Sequence, residues 1–430
     1  MMIRSTDSSV PDECADVAVI GAGPAGCATA TLLAQAGHRV VLLERERFPR
    51  YRIGESLIPY CWFALERLGL EQKVAEASFS VEKHSVQFVG LDGRRATPFY
   101  FFQHYDHPSA TTWQVVRSEF DQLLLDNARE HGVVVREASP AKALLRGPDG
   151  AVRGVEVQPE EGEPYKLAAS ITVDASGRDL FSAGKSGWRV GDQDLKKYAI
   201  WTYFEGAVRD TGYDEGATTI AYLPDKGWFW WIPLAGGKTS VGVVGDVDYL
   251  LRDGRDPQAI FDREKDIQPW VKSRLENAKQ IEPCRTTGDF SYRSKHCAQE
   301  GLVLVGDAFA FLDPVFSSGV WLALTSGVMA ADEIDAGLRE GDLSPARFQR
   351  YSEQFRENIE AMRSLVHAFY DTTFSFGKFL RDHPDRRVDI TDVLIGNVDK
   401  ELAPLWAAMQ QMARMPERLS HGGPLLEARG

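Results

Sequence analysis

Gly21-Ala22-Gly23-Pro24-Ala25-Gly26 is a glycine-rich turn spaced to bind a pyrophosphate. Gly21 permits the tight turn, Gly23 lets the backbone approach the phosphates, and Gly26 allows the next helix to pack closely. Pro24 and Ala25 open that helix, whose free N–H groups and dipole favour negative charge. Glu44 ends the following apolar run, where a carboxylate can accept hydrogen bonds from ribose hydroxyls. The second notable cluster is aromatic. Residues 227–233 read Gly-Trp-Phe-Trp-Trp-Ile-Pro and hold three of the chain's ten tryptophans. In a strand, Trp228, Trp230 and Ile232 share one face while Phe229, Trp231 and Pro233 share the other. Such a face makes a bulky wall rather than a hydrogen-bonding site. Core packing is the competing reading of the same residues.

These groups need elements that hold them. Residues 16–20 form an apolar strand before the turn, residues 25–36 carry a helical pattern stopped by Gly37, and residues 39–43 form the next strand. Strand, glycine turn, helix, strand and acid together predict a dinucleotide-binding unit. Alternating patterns at 86–89, 199–204, 218–223 and 239–244 predict an antiparallel layer over the cofactor. Past Gly341, apolar residues recur at helical spacing over 348–380 and 402–412. The expected fold is α/β, a Rossmann-like domain carrying an inserted antiparallel sheet (an α+β layer) and a C-terminal helical region. The expected layout is a discontinuous nucleotide domain (16–79, 113–190, 283–338), a substrate sheet (80–112, 191–282), a helical cap (339–421) and a frayed tail (422–430).

With 430 residues the chain can bury two or three cores. Its net charge of -13 argues against nucleic acid or an acidic membrane as partner. Five scattered cysteines suit a reducing cytoplasm without a disulfide framework. Residues 1–16 lack an apolar signal core, and the apolar stretch 302–331 is interrupted by Asp307, Asp313 and Pro314, so neither a signal peptide nor a membrane span is expected. His104 and His107 have no second pair to complete a metal site and are read as loop residues.

Further segments carry a resemblance. Gly54-Glu55-Ser56, after Arg50 and Arg52, resembles the Gly-Glu-Ser signature of one flavoprotein branch. Val116-Arg117-Ser118-Glu119-Phe120-Asp121 resembles the segment whose arginine contacts the flavin. Val303-Leu304-Val305-Gly306-Asp307-Ala308 resembles the second FAD motif, with Val173-Asp174-Ala175-Ser176-Gly177-Arg178 as the strand end before it. In this order they resemble the FAD-dependent monooxygenases of the p-hydroxybenzoate hydroxylase type. The chain is most similar to flavin-dependent halogenases acting on phenols and carrier-bound pyrroles, through Trp228-Phe229-Trp230-Trp231-Ile232-Pro233 and Asp313-Pro314-Val315-Phe316-Ser317-Ser318-Gly319-Val320. Hydroxylases place a histidine after Gly-Asp-Ala, where Phe309 stands here. Geranylgeranyl-reductase relatives follow the aromatic motif with lysine, where Leu234 stands.

The resemblance implies a chemistry and a set of roles. Reduced FAD, supplied by a separate NAD(P)H-dependent flavin reductase, reacts with O2 to a C4a-hydroperoxide. Chloride or bromide attacks it, giving hypohalous acid, which a lysine then directs onto an aromatic acceptor. That acceptor is phenolic or pyrrolic, free or carried on an acyl or peptidyl carrier protein. Lys83, within Phe79-Ser80-Val81-Glu82-Lys83-His84-Ser85, is the expected catalytic lysine, and Trp228 and Trp230 the wall between flavin and substrate. FAD is expected on Gly21, Gly23, Pro24, Ala25, Gly26, Glu44, Arg52, Glu55, Ser56, Arg117, Asp307, Pro314, Gly319 and Val320, and the halide on Ser317, Ser318 and Gly319. The alternative is a non-halogenating FAD-dependent monooxygenase or a geranylgeranyl-reductase-like oxidoreductase.

Overall fold

A computed structural model describes residues 11–288 and 291–426. Its larger nucleotide-side sheet is mostly parallel. The strands run in the order Ala298–Gln299, Leu302–Leu304, Tyr165–Asp174, Glu13–Ile20, Val40–Leu43 and Val134–Arg136. Glu13–Ile20 is paired in parallel on both sides and its last four residues are buried, as expected for a strand covered on both faces. The glycine turn follows it directly. Gly21 has φ +100°, and a Cβ there would lie 2.4 Å from the Ala175 carbonyl oxygen. A Cβ on Gly26 would lie 1.9 Å from the Gly21 carbonyl oxygen, so only glycine lets helix Pro24–Gln35 start this close to the turn. The small residues of that helix let the long helix Gly319–Glu340 pack alongside it.

The second large sheet runs Lys279–Gln280, Lys197–Glu205, Lys238–Asp246, Trp228–Pro233, Thr218–Tyr222, Ser85–Val89 and Phe99–Tyr100. Three details differ from the expected layout. Arg285–Gly288, assigned from sequence to the nucleotide domain, pairs with Tyr198–Trp201 in this sheet. Ser85–Val89 pairs in parallel with Thr218–Tyr222, because the long stretch between them supplies the crossover a parallel pair requires. Ser80–Lys83 leaves the sheet and pairs with Thr112–Val115 as a separate ribbon.

The C-terminal region is helical at Gln349–Tyr370, Phe376–Asp382, Arg387–Ile395 and Ala403–Met409. Arg387–Ile395 was not legible as a helix, since it is rich in β-branched residues and held by burial of Ile390, Val393 and Ile395. The tail is not frayed over its described part. Gly422 N–H donates to the Lys295 carbonyl and Leu425 N–H to the Ala298 carbonyl, at 2.9 and 2.7 Å. Residues 427–430 of the expected tail and residues 1–10 lie outside the described residues. Among the described residues no helix is long and apolar enough to cross a membrane, and no group of three His, Cys, Asp or Glu could hold a metal. His104 instead bonds Asp392 at 2.6 Å.

Candidate active site

A cavity of about 890 Å³ runs from the glycine turn to the tryptophan strand. It is lined by Gly21, Gly23, Pro24, Ala25, Glu44, Arg52, Glu55, Ser56, Arg117, Asp307, Pro314, Ser317, Gly319 and Val320, and by Trp228, Trp230 and Ile232. Gly26, Ser318 and Lys83 of the expected set do not line it. Gly26 sits behind the turn, and Ser318, 2% exposed, stands just before helix Gly319–Glu340 without a side-chain capping bond.

The nucleotide end fits a dinucleotide. A Cβ on Gly23 would meet nothing within 4 Å, so the backbone there faces open space at the helix start. Glu44 is buried and already accepts the N–H groups of Ala22 and Glu46, both at 3.0 Å, which aims its carboxylate along the cavity. The two arginines of the expected set line the cavity and also have protein partners. Arg52 borders the cavity, yet its guanidinium bonds Glu46 and the Tyr51 carbonyl. Arg117 forks onto Asp121 at 2.9 and 3.1 Å and donates to the carbonyls of Ile53 and Gly54 at 2.8 and 3.1 Å. It therefore fixes the Gly54-Glu55-Ser56 loop. Its partner Asp121 also receives Arg50 at 2.7 Å, and Arg50 reaches the Ala22 carbonyl at 3.3 Å. The buried Arg50–Asp121 pair that props the glycine turn was not predicted. The i,i+4 spacing of Arg117 and Asp121 on one helix was its available signal.

At the other end, strand alternation builds the wall. Trp228, Trp230 and Ile232 face the cavity, while Phe229 and Trp231 pack into a separate core with Phe261 and Trp270. Trp228 and Trp230 lie 6.2 Å apart between ring centroids. Ser240 accepts the Trp230 indole N–H at 3.1 Å. The neighbouring strand has Gly242 beneath that ring, where a Cβ would come within 2.3 Å of it.

The loop before helix Gly319–Glu340 bends sharply. Asp313 caps the turn Pro314–Phe316 by accepting the Val315 N–H at 3.1 Å, and Ser317 then adopts φ +56°, a left-handed conformation uncommon outside glycine. Such strain gathers at functional sites when surrounding structure enforces it.

Lys83 is 2% exposed and donates to Ser56 Oγ at 2.8 Å and to the Leu57 carbonyl at 2.9 Å. Ser56 lines the cavity and also bonds Thr218 at 2.8 Å, so one hydroxyl separates the amine from the cofactor space. The ring of Phe101 lies 5.8 Å from Nζ. Burial lowers the Lys83 amine to about 7. Strand alternation puts Glu82 on the opposite side, beside His84 at 3.4 Å.

Two carboxyls on the cavity are pushed upward by burial, Glu55 to about 7 and Asp307 to about 6. The hydroxyls of Tyr203 and Ser240 and the charge of Arg117 pull Glu55 the other way, while Glu282 raises it. Arg178 and Arg117 pull Asp307 down.

Known proteins match along most of the chain. A family model described as tryptophan halogenase matches residues 16–111 and 93–376. A flavin-dependent halogenase of Armillaria mellea is 36% identical over 75% of this chain and 68% of its own length. The 1H-pyrrole-2-carbonyl-peptidyl-carrier-protein brominase of Pseudoalteromonas luteoviolacea is 30% identical over 89% of this chain and 91% of its own. Among solved structures, the flavin-dependent brominase Bmp2 aligns with TM-score 0.83 and 29% identity, covering 93% of this chain and 97% of that one. The myxobacterial chondrochloren halogenase CndH aligns with TM-score 0.78 and 33% identity over 92% of each chain.

Proposed function

Because this chain belongs to the tryptophan halogenase family of FAD-dependent enzymes, we propose that it chlorinates or brominates an electron-rich phenol or pyrrole. The pyrrole reading draws on the carrier-bound substrate named for the Pseudoalteromonas relative, so the acceptor we favour is a pyrrole presented on a carrier protein. Membership leaves the hydroxylase and geranylgeranyl-reductase alternatives without support.

The observation that most supports this reading is a buried amine that sits one hydroxyl, that of Ser56, behind a cavity lined by an aromatic wall. When bound, FAD supplies the oxidation of halide by O2. The residues of this chain do the rest. Gly21, Gly23 and the start of helix Pro24–Gln35 hold the pyrophosphate, Glu44 the ribose, and Asp307 the ribityl chain. The Ser317-Ser318-Gly319 turn offers the Ser318 and Gly319 backbone N–H groups to the halide at a helix start, while the Ser317 N–H donates to the Pro314 carbonyl at 2.9 Å and shapes the turn. Trp228, Trp230 and Ile232 exclude water and keep the acceptor off the flavin. Lys83 holds the hypohalous acid near the acceptor, its ammonium donating a hydrogen bond or its neutral amine taking the halogen.

The single dinucleotide fingerprint of the chain supports a separate reductase as the source of reduced flavin. The purified protein with FAD and NADPH is expected to oxidise no NADPH until a flavin reductase is added. Robust oxidation by the chain alone would contradict this. A competition between free and carrier-loaded pyrrole carboxylate tests the acceptor. Preference for the free acid would remove the carrier from the account.

A further inference from the structure

Tyr370 ends the helix Gln349–Tyr370 and is 9% exposed. Its hydroxyl has two partners. The Trp228 indole N–H donates to it at 2.7 Å, and it donates to Asp313 Oδ2 at 2.9 Å. The directions are fixed by chemistry. An indole nitrogen can only donate, so the hydroxyl must accept there and give its single proton to the carboxyl group. Asp313 is wholly buried, and its other oxygen accepts the Val315 N–H within the turn that leads into Ser317. One hydroxyl thus joins the aromatic wall to the turn offered to the halide.

Packing follows the same route. Phe369 meets Trp228 edge-on at 6.3 Å and Phe316 edge-on at 5.8 Å. Lys197 Nζ lies 4.0 Å over the Tyr370 ring and pairs with Asp246 at 2.7 Å. The left-handed conformation of Ser317 is strained for a residue other than glycine and needs such enforcement.

We propose that Tyr370 is a positioning residue for halide binding: through Asp313 it locks the Ser317–Gly319 turn, and through Trp228 it locks the wall, so that the two are set together by the C-terminal helical region. This rests on the assignment of that turn to the halide. Removing the hydroxyl leaves the indole N–H and Asp313 Oδ2 buried without partners, and the turn loses its enforced shape.

The test uses the FAD-loaded protein and bromide. Quenching of FAD fluorescence by bromide gives a dissociation constant without turnover, and steady-state halogenation gives KM for bromide and kcat. Tyr370→Phe keeps the ring and is expected to weaken bromide binding and raise its KM by about tenfold, or about 1.4 kcal/mol. The kcat at saturating bromide should fall much less. Asp313→Asn, read in the same way, replaces the oxygen facing the Val315 N–H or the Tyr370 O–H with a donor and should also weaken bromide. It serves if Tyr370→Phe does not fold. Gly319→Pro removes one backbone N–H of the turn and also strains it, because Ser318 lies in the αR region that a following proline disfavours, so it tests the turn itself. Bromide affinity unchanged in Tyr370→Phe and Asp313→Asn but weakened in Gly319→Pro would overturn the role of Tyr370 and leave the halide turn standing. Affinity unchanged in all three would overturn both. A Tyr370→Phe protein that melts earlier yet binds bromide like the parent would show a purely structural contact and sink the proposal.

Discussion

Lys83→Ala is expected to abolish halogenation while FAD binding and oxygen-dependent reoxidation of reduced flavin continue. Lys83 reaches the cofactor cavity through the Ser56 hydroxyl, and its two hydrogen bonds, to Ser56 and the Leu57 carbonyl, touch neither the glycine turn nor Glu44. An ammonium has three donors, and Ser56 Oγ and the Leu57 carbonyl take two. The remaining proton can hold hypohalous acid. Burial lowers the amine to about 7, so the neutral form with a free lone pair is also well populated at neutral pH. Alanine offers neither. Lys83→Arg should fail as well, since guanidinium stays protonated, is planar and carries no nucleophilic amine. The loss should exceed a hundredfold, with the oxidising equivalents released as hydrogen peroxide or free hypohalous acid. Product chromatography beside a peroxide assay checks this, with a thermal melt as control. Lys83→Ala halogenating a confirmed substrate at the parent rate would remove the residue from the mechanism.

Trp230→Ala should uncouple flavin oxidation from halogenation. The indole lines the cavity, is held by Ser240 and packs 6.1 Å from Trp201 and 6.2 Å from Trp228. Removing it joins the cofactor space to the acceptor side and admits water. Halogenated product per flavin oxidised is expected to fall by about tenfold or more, with peroxide or hydroxylated product rising. The truncation also costs about 3–5 kcal/mol if the hole stays open. The two effects separate cleanly. A variant that melts earlier but keeps the parent's product ratio per folded molecule would make Trp230 a core residue only.

The parts of this molecule that were legible in its sequence are those set by short-range periodicity. The glycine turn is read from neighbours within one βαβ unit, and the wall from the period of two that sends Trp228 and Trp230 one way and Trp231 the other. What was not legible depends on long-range partners. Ser56 meets Lys83 across 27 positions and Tyr370 meets Trp228 across 142. No local pattern marks either pairing. Glu55 reads as a flavin contact, and only the fold shows it pressed against Tyr203 and Ser240, with one carboxyl oxygen left without a partner. Arg117, which resemblance assigns to the flavin, lines the cavity, and only the fold shows its hydrogen bonds to Asp121 and the Gly54 loop. The parallel pairing of Ser85–Val89 likewise follows from chain topology rather than from composition.

The measurement that bears most directly on this account is mass spectrometry of the products formed from bromide. Purified chain, FAD, NADH, a flavin reductase and air would be supplied with phenols and pyrroles, free and carrier-bound. The account predicts a product carrying the paired bromine isotopes on the aromatic ring, absent without reductase or bromide and absent with Lys83→Ala. A product bearing added oxygen instead of bromine, or peroxide alone across the whole panel from a folded, FAD-loaded protein, would contradict it.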